Sequence, residues 1–146
     1  MADNLAPRAP LPFDKEQQVP RMHERKRHNL LAMAPQERLD YFVRKIVDFE
    51  QAWGLYQDGW ATSAFDGGEA VPFWPEAALA QACATGAWAG FVARPISLDD
   101  FRGRWLPGLR ADDRVCQVFP VPTQQGVVIC PDDLGGLIHD ELQPYL

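Results

Sequence analysis

The stretch Trp53-Gly54-Leu55-Tyr56-Gln57-Asp58-Gly59-Trp60 follows directly on a run in which Leu39, Phe42, Val43, Ile46 and Phe49 recur at three- and four-residue spacing. The run has the period of an amphipathic helix. The stretch after it, with Trp53 and Leu55 on one face and Tyr56 on the other, has the period of a strand. A helix with one apolar stripe needs a surface to cover, and a strand with large side chains on both faces needs covering twice. A helix packed on a sheet satisfies both demands. Pro35 suits the first helical turn and Glu37 lies near the positive end of the helix dipole. Arg38, Arg44, Lys45 and Asp48 fall largely outside the stripe.

Beyond the helix, Gln51–Tyr56 and Gly59–Phe65 read as two strands joined at Asp58-Gly59, a dipeptide that accepts the positive φ angles of tight hairpins. Asp66-Gly67-Gly68 turns the chain into a short strand, Val71-Pro72-Phe73-Trp74, which Pro72 places at an edge or makes end there. Pro75-Glu76 opens a helix carrying Leu79, Ala80 and Cys83 that Gly86 stops. Phe91-Val92-Ala93 suits a strand. Ser97 is the expected N-cap of a helix with Leu98, Phe101 and Trp105 that ends at Pro107-Gly108. Val115–Val121 and Gly126–Cys130 form a further hairpin, and a last helix runs to about Leu142. Adjacent hairpins predict an α+β fold, a single domain with a mostly antiparallel sheet of five or six strands covered by about four helices.

A chain of 146 residues, 47% hydrophobic, suffices for one core. Residues 1–20, with Pro7, Pro10, Pro12 and Pro20, read as a flexible tail. Residues 21–34 form a basic lead-in, a solvated turn or helix, and the domain occupies 35–146. The net charge of −6 is unevenly placed, with six Lys/Arg against four acids in residues 1–34 and eight against sixteen in the rest. So acidic a body repels a phosphate backbone, which disfavours nucleic acid and favours a basic protein partner. No apolar run is long enough to span a membrane and no export signal opens the chain, so a cytoplasmic location is expected. Three widely spaced cysteines fit reduced thiols, although Cys116 and Cys130 fall where a hairpin leaves one bridge open.

Reaction chemistry has few carriers. The sequence contains no GxSxG, Walker-type, GxGxxG or HExxH motif, and His139 is the one histidine within the expected domain. Asp99-Asp100 and Asp132-Asp133 stand where helices begin and are read as capping residues, and Asp112-Asp113 as a turn. Neither a metal nor a cofactor is expected. Cys83 falls on an apolar helix face, whereas Cys130 precedes a helix N-terminus, the setting that stabilises a thiolate.

Tyr41-Phe42-Val43-Arg44-Lys45-Ile46, Trp53-Gly54-Leu55-Tyr56 with Asp58-Gly59-Trp60, Pro72-Phe73-Trp74-Pro75, Trp105-Leu106-Pro107-Gly108 and Val118-Phe119-Pro120 together resemble the bacterial family of domain of unknown function 2750, from about Pro35 to Leu142. The resemblance implies no activity, cofactor or catalytic residue. The chain is also similar in style to small immunity-type domains that neutralise bacterial toxins. The expected function is a non-enzymatic binding module, of which an inhibitor of that type is one form; the alternative is a small-molecule sensor or enzyme with an aromatic-lined pocket. Arg44, Tyr56, Gln57, Asp58, Trp60 and Trp74 are the expected contact residues, because Trp and Tyr concentrate binding energy.

Overall fold

The computed structural model describes residues 23–146. The tail read at 1–20 and the first two residues of the lead-in lie outside them. Helix α1, Glu24–Leu31, is capped by His23, whose ring accepts from the Arg25 amide, and it docks through buried Leu30. Helix α2, Pro35–Phe49, begins with Pro35 in its first turn and with Glu37 accepting from the Ala34 amide at 2.9 Å. Strands β1 (Gln51–Tyr56), β2 (Ser63–Phe65) and β3 (Gly68–Phe73) follow. After them come helix α3 (Ala77–Ala82), strand β4 (Val92–Ser97) and helix α4, built of the segments Leu98–Asp100, Phe101–Trp105 and Leu106–Ala111. Strands β5 (Val115–Val118) and β6 (Val127–Ile129) and helix α5 (Pro131–Leu142) complete an α+β domain.

The sheet differs from the hairpin reading in its first partner. Strand β1 pairs antiparallel with β4, Gln51 opposite Ser97 through Tyr56 opposite Val92, and not with the segment after Asp58-Gly59. The chain does reverse there, with Asp58 at φ 56° and the Gln57 amide donating to the Gly59 carbonyl. Pairing stops after a single bridge between Tyr56 and Trp60. Strand β2 instead pairs with β3 across Asp66-Gly67, whose positive φ angles of 48° and 81° make the tight hairpin turn. The remaining order is β2-β3-β5-β6, antiparallel except for a parallel β3–β5 pair. That pair requires a crossover, which α3, β4 and α4 supply.

Two hydrogen bonds of 2.8 and 2.9 Å between the main chains of Trp53 and Trp74 join the sheets. Pro72 sits inside the four-stranded sheet, in the gap between the end of the β2 pairing at Ala70 and the Trp53–Trp74 link, where its missing donor has no strand to serve.

Helix α2 lays Leu39, Phe42, Val43 and Ile46 into the core as its spacing predicts, but two of its residues depart from the pattern. Phe49, expected on the apolar stripe, is 58% exposed. The helix ends there, Glu50 turns left-handed at φ 57°, and the ring rests beneath Lys45 Nζ at 5.3 Å instead of on the sheet. Arg38, expected outside the stripe, is fully buried. Its Nη1 donates to the Met33 carbonyl at 2.6 Å, Nε to the Phe119 carbonyl at 3.1 Å, and Nη2 to Gln124 Oε1 at 2.8 Å. Burial lowers its pKa from the ordinary arginine value, yet a guanidinium stays charged.

Helix α4 also departs from expectation, because Pro107-Gly108 does not end it. The segment Phe101–Trp105 is π-helical, with the Leu106 amide donating to the Phe101 carbonyl. The wider turn accommodates a proline that lacks a donor and would strike the carbonyl four residues back in a regular helix.

Past β5 the chain folds into a cluster of acceptors. Phe119 is buried at φ 52°, a conformation uncommon for a bulky residue, and its amide donates to the Phe73 carbonyl at 2.8 Å. The next carbonyl, that of Pro120, accepts from Trp74 Nε1 at 2.8 Å and from Cys83 Sγ at 3.3 Å. Gly126, at φ 78°, closes the return, and a Cβ there would stand 2.3 Å from the Val118 carbonyl oxygen.

Arg38→Met, which keeps the stem but deprives buried carbonyls of their donors, should lower unfolding stability in denaturant by about 3 kcal/mol. Arg38→Lys should recover little of this, because one ammonium cannot reproduce the planar fork. Gly126→Ala, both strained and clashing, should lose about 2 kcal/mol or more in the same measurement.

Candidate functional site: an aromatic face on β1 and β4

The β1–β4 register sets Ala52, Gly54 and Tyr56 on one face, opposite Ile96, Arg94 and Val92. After the reversal at Asp58, Trp60 folds back over this face. It can do so because Gly54 has no side chain: a Cβ there would lie 3.0 Å from the six-membered ring of Trp60. The indole meets Tyr56 edge-to-face at 5.1 Å and Trp105 of α4 at 4.8 Å. Trp105 in turn meets Phe73 at 5.6 Å, Phe73 meets Phe101 at 4.8 Å, and Phe101 meets Phe42 at 6.4 Å. A continuous chain of rings thus runs from the surface into the core, and each edge-to-face contact adds about 1 kcal/mol to the burial of its rings.

The outer end of this chain is half-exposed, with Tyr56, Trp60 and Trp105 partly open to solvent. Arg94 covers it. Its guanidinium carbon stands 4.0 Å from the Tyr56 ring centroid and 6.0 Å from that of Trp60, and it makes no ion pair with another described residue. Stacking orients the fork while leaving its N–H donors free to point outward. Beyond Trp105 lies an open recess of about 240 Å³ between Arg104 and Arg114. Arg114 is held by Glu69 at 3.0 Å.

The residues expected from the sequence are distributed unevenly around this face. Tyr56 and Trp60 form it, and exposed Gln57 and Asp58 make the adjoining turn, with the Gln57 amide group packed against Gly90. Arg44 is exposed elsewhere, on α2, with its guanidinium 5.9 Å from the Tyr41 ring. Trp74 is fully buried and its indole N–H is bound to Pro120, so it contributes to the core alone. Arg94 and Trp105 complete the face without having been singled out for it. The β1–β4 register, which puts Arg94 opposite Gly54, was the missing signal.

Other side chains follow ordinary structural roles. Ser97 Oγ accepts from the Asp100 amide at 3.1 Å, and Asp132 and Asp133 occupy the first turn of α5. The Tyr41 hydroxyl donates to Glu76, which also pairs with Lys26 of α1 at 3.1 Å; burial first, and then that carboxylate, raises the Tyr41 pKa. Among the described residues no three His, Cys, Asp or Glu side chains converge as a metal site, and no helix is long and apolar enough to cross a membrane.

The open cysteine pairing resolves against a bridge: Cys116 is buried opposite Ile129, and Cys130 is exposed beyond it. Burial pushes the Cys83 thiol up to about 11 and the Cys116 thiol up to about 12. Ellman's reagent at neutral pH should therefore titrate Cys130 at once and the other two thiols only after unfolding. Both folded values lie above that of an unfolded thiol, about 8.5. Their stabilising contribution is complete below that pH and is withdrawn as pH rises towards 11 and 12. Chemical unfolding at pH 8 and pH 10 should show the decline, and a Cys116→Ala variant should show less of it.

Gly54→Ala should displace Trp60 from β1, diminish the near-UV circular dichroism of the coupled indoles and reduce stability by about 1–3 kcal/mol. An unchanged aromatic spectrum would mean that the close approach is not what seats the ring.

Comparison with curated proteins gave no match, and comparison with solved structures gave none. Residues 39–137, from the middle of α2 into α5, match the family described as a protein of unknown function, DUF2750. These residues hold β1, β4, α4 and every ring of the aromatic face, and the chain belongs to that family.

Proposed function

We propose that the chain is a non-enzymatic interaction module that binds a partner protein through the face made by Tyr56, Trp60, Trp105 and Arg94. One observation carries this reading: half-exposed rings, braced from behind by a chain of buried rings, are overlaid by an exposed guanidinium that makes no ion pair with another described residue. Trp, Tyr and Arg are the residues on which binding energy concentrates, and rings already held in place lose little freedom when a partner covers them. The acid excess of the body favours a basic protein at long range, while the Arg94 donors call for a carboxylate or carbonyl acceptor at the contact itself. An inhibitor that neutralises a toxin by covering it is one form of such a module. Free thiols at Cys83, Cys116 and Cys130 accord with work in the bacterial cytoplasm.

The second reading, a small-molecule sensor or enzyme, draws on the recess beside Trp105. At about 240 Å³ and open, it falls below the usual range for small-ligand pockets, roughly 300–1,000 Å³, which favours the protein-binding reading. A thermal-shift screen against nucleotides and metabolites separates the two, since a ligand of the folded state raises the unfolding temperature.

Affinity capture from the native host should recover one stoichiometric partner. Arg94→Ala and Trp60→Ala should each weaken that complex by about 2 kcal/mol, near thirtyfold, in calorimetry with the purified partner. Arg94→Ala, at an exposed position, loses only its stacking on Tyr56 and should lower stability by no more than about 1 kcal/mol, less than the loss in binding. Affinity in both variants equal to that of the unsubstituted chain would sink the proposal, and co-expression with toxins from the same host tests the inhibitor form.

A further inference from the structure

At the other end of β1 from the aromatic face, the start of α4 meets the end of α2 around an open cleft of about 400 Å³. Its walls are stitched together by the Leu98 amide, which donates to the Glu50 carbonyl at 2.9 Å. Val47, Leu98 and Leu142 form an apolar floor. Asp48 and Glu50 on one wall and Asp99 on the other form an acidic rim, opposed among the described residues of the cleft only by Arg102. None of the three carboxylates forms an ion pair with another described residue. Tyr145 and Leu146 stand at the edge, 70% and 77% exposed.

We infer that this cleft receives a basic, amphipathic segment of a partner protein, in which lysine or arginine side chains alternate with bulky apolar ones. The chemistry of the walls selects this occupant. A lysine lays its four-carbon stem along apolar surface while its ammonium reaches polar surroundings, and here the floor is apolar and the rim anionic. An acidic segment would meet three carboxylates, and a purely apolar one would strip water from them without replacing their contacts. The chain's own N-terminal residues 1–22 are a poorer match, with three basic residues, Arg8, Lys15 and Arg21, offset by three acids, Asp3, Asp14 and Glu16. The cleft lies some 20 Å along β1 from Tyr56, at ~3.3 Å per residue. A second surface of this kind is thus independent of the aromatic face.

The test uses the full chain and a fluorescein-labelled peptide of alternating lysine and leucine, with lysine–serine and glutamate–leucine peptides as controls, read by anisotropy. The lysine–leucine peptide should bind, and the two controls should bind at least about tenfold more weakly. The double variant Asp48→Lys/Glu50→Lys should weaken the lysine–leucine peptide by about tenfold. Both changes put cations at the C-terminal end of a helix, which leaves the fold intact. Tyr145→Ala should weaken it by about threefold, as the loss of one exposed apolar contact. Asp112→Lys/Asp113→Lys, with the same change of charge away from the cleft, and Arg94→Ala on the aromatic face should leave binding unchanged. Equal binding of the lysine–serine peptide, or equal loss in both double variants, would reduce the effect to net charge and overturn the inference. So would a tenfold tightening on deletion of residues 1–22, which would make the chain's own terminus the occupant. A dimer in sedimentation that Asp48→Lys/Glu50→Lys dissolves would overturn it in favour of a second copy.

Discussion

The buried guanidinium of Arg38 is the interaction on which the rest of the domain depends. It withdraws a full charge from water and replaces that water with the carbonyls of Met33 and Phe119 and the amide oxygen of Gln124. Such a charge is tolerable only when its donors are met. Meeting them draws the link before α2, the helix itself and the segment after β5 to one point. That segment is held left-handed at Phe119, and its carbonyls then serve Trp74 and Cys83 as well. Trp74 in turn carries the main-chain link to Trp53 and hence to β1. A line of polar contacts therefore leads from one arginine to the strand that bears the aromatic face.

The elements that the sequence discloses are those whose pattern is local. The α2 stripe from Leu39 to Ile46, the reversal at Asp58-Gly59, the hairpin turn at Asp66-Gly67 and the Ser97 cap are each decided within a few residues, and the structure holds all of them. What stayed hidden was decided by distant partners. The strand paired with β1 comes from residues 92–97, and nothing in the period-two pattern of Gln51–Tyr56 distinguishes that partner from the nearer Ser63–Phe65. Arg38 reads as a surface residue because its helical phase borders the apolar stripe and two of its three acceptors lie more than 80 residues away. Proline at 107 ordinarily stops a helix, and only the widened turn before it lets α4 continue.

The candidate site shows the same division. Tyr56 and Trp60 are legible as partners across a turn, whereas the roles of Arg94 and Trp105 follow from the β1–β4 register and from the packing of α4. Trp74 sits in a motif as rich in rings as that of Trp60, yet one is sealed in the core and the other opens to solvent. The difference arises from the Pro120 carbonyl, a buried acceptor that satisfies the Trp74 indole and makes its burial favourable. Composition can count rings, but the location of an acceptor decides which of them remain available.

The sequence distance between Arg38 and its acceptors also bears on how the domain is made. A chain emerging from the ribosome delivers α2 long before Phe119 and Gln124, 81 and 86 residues later. Until those oxygens arrive the guanidinium is better left hydrated, and α2 has no stable way to seat its buried face. An N-terminal portion ending short of β5 is thus poorly suited to fold by itself. The domain is built to assemble as one cooperative unit near the end of its synthesis instead of growing outward from a finished half.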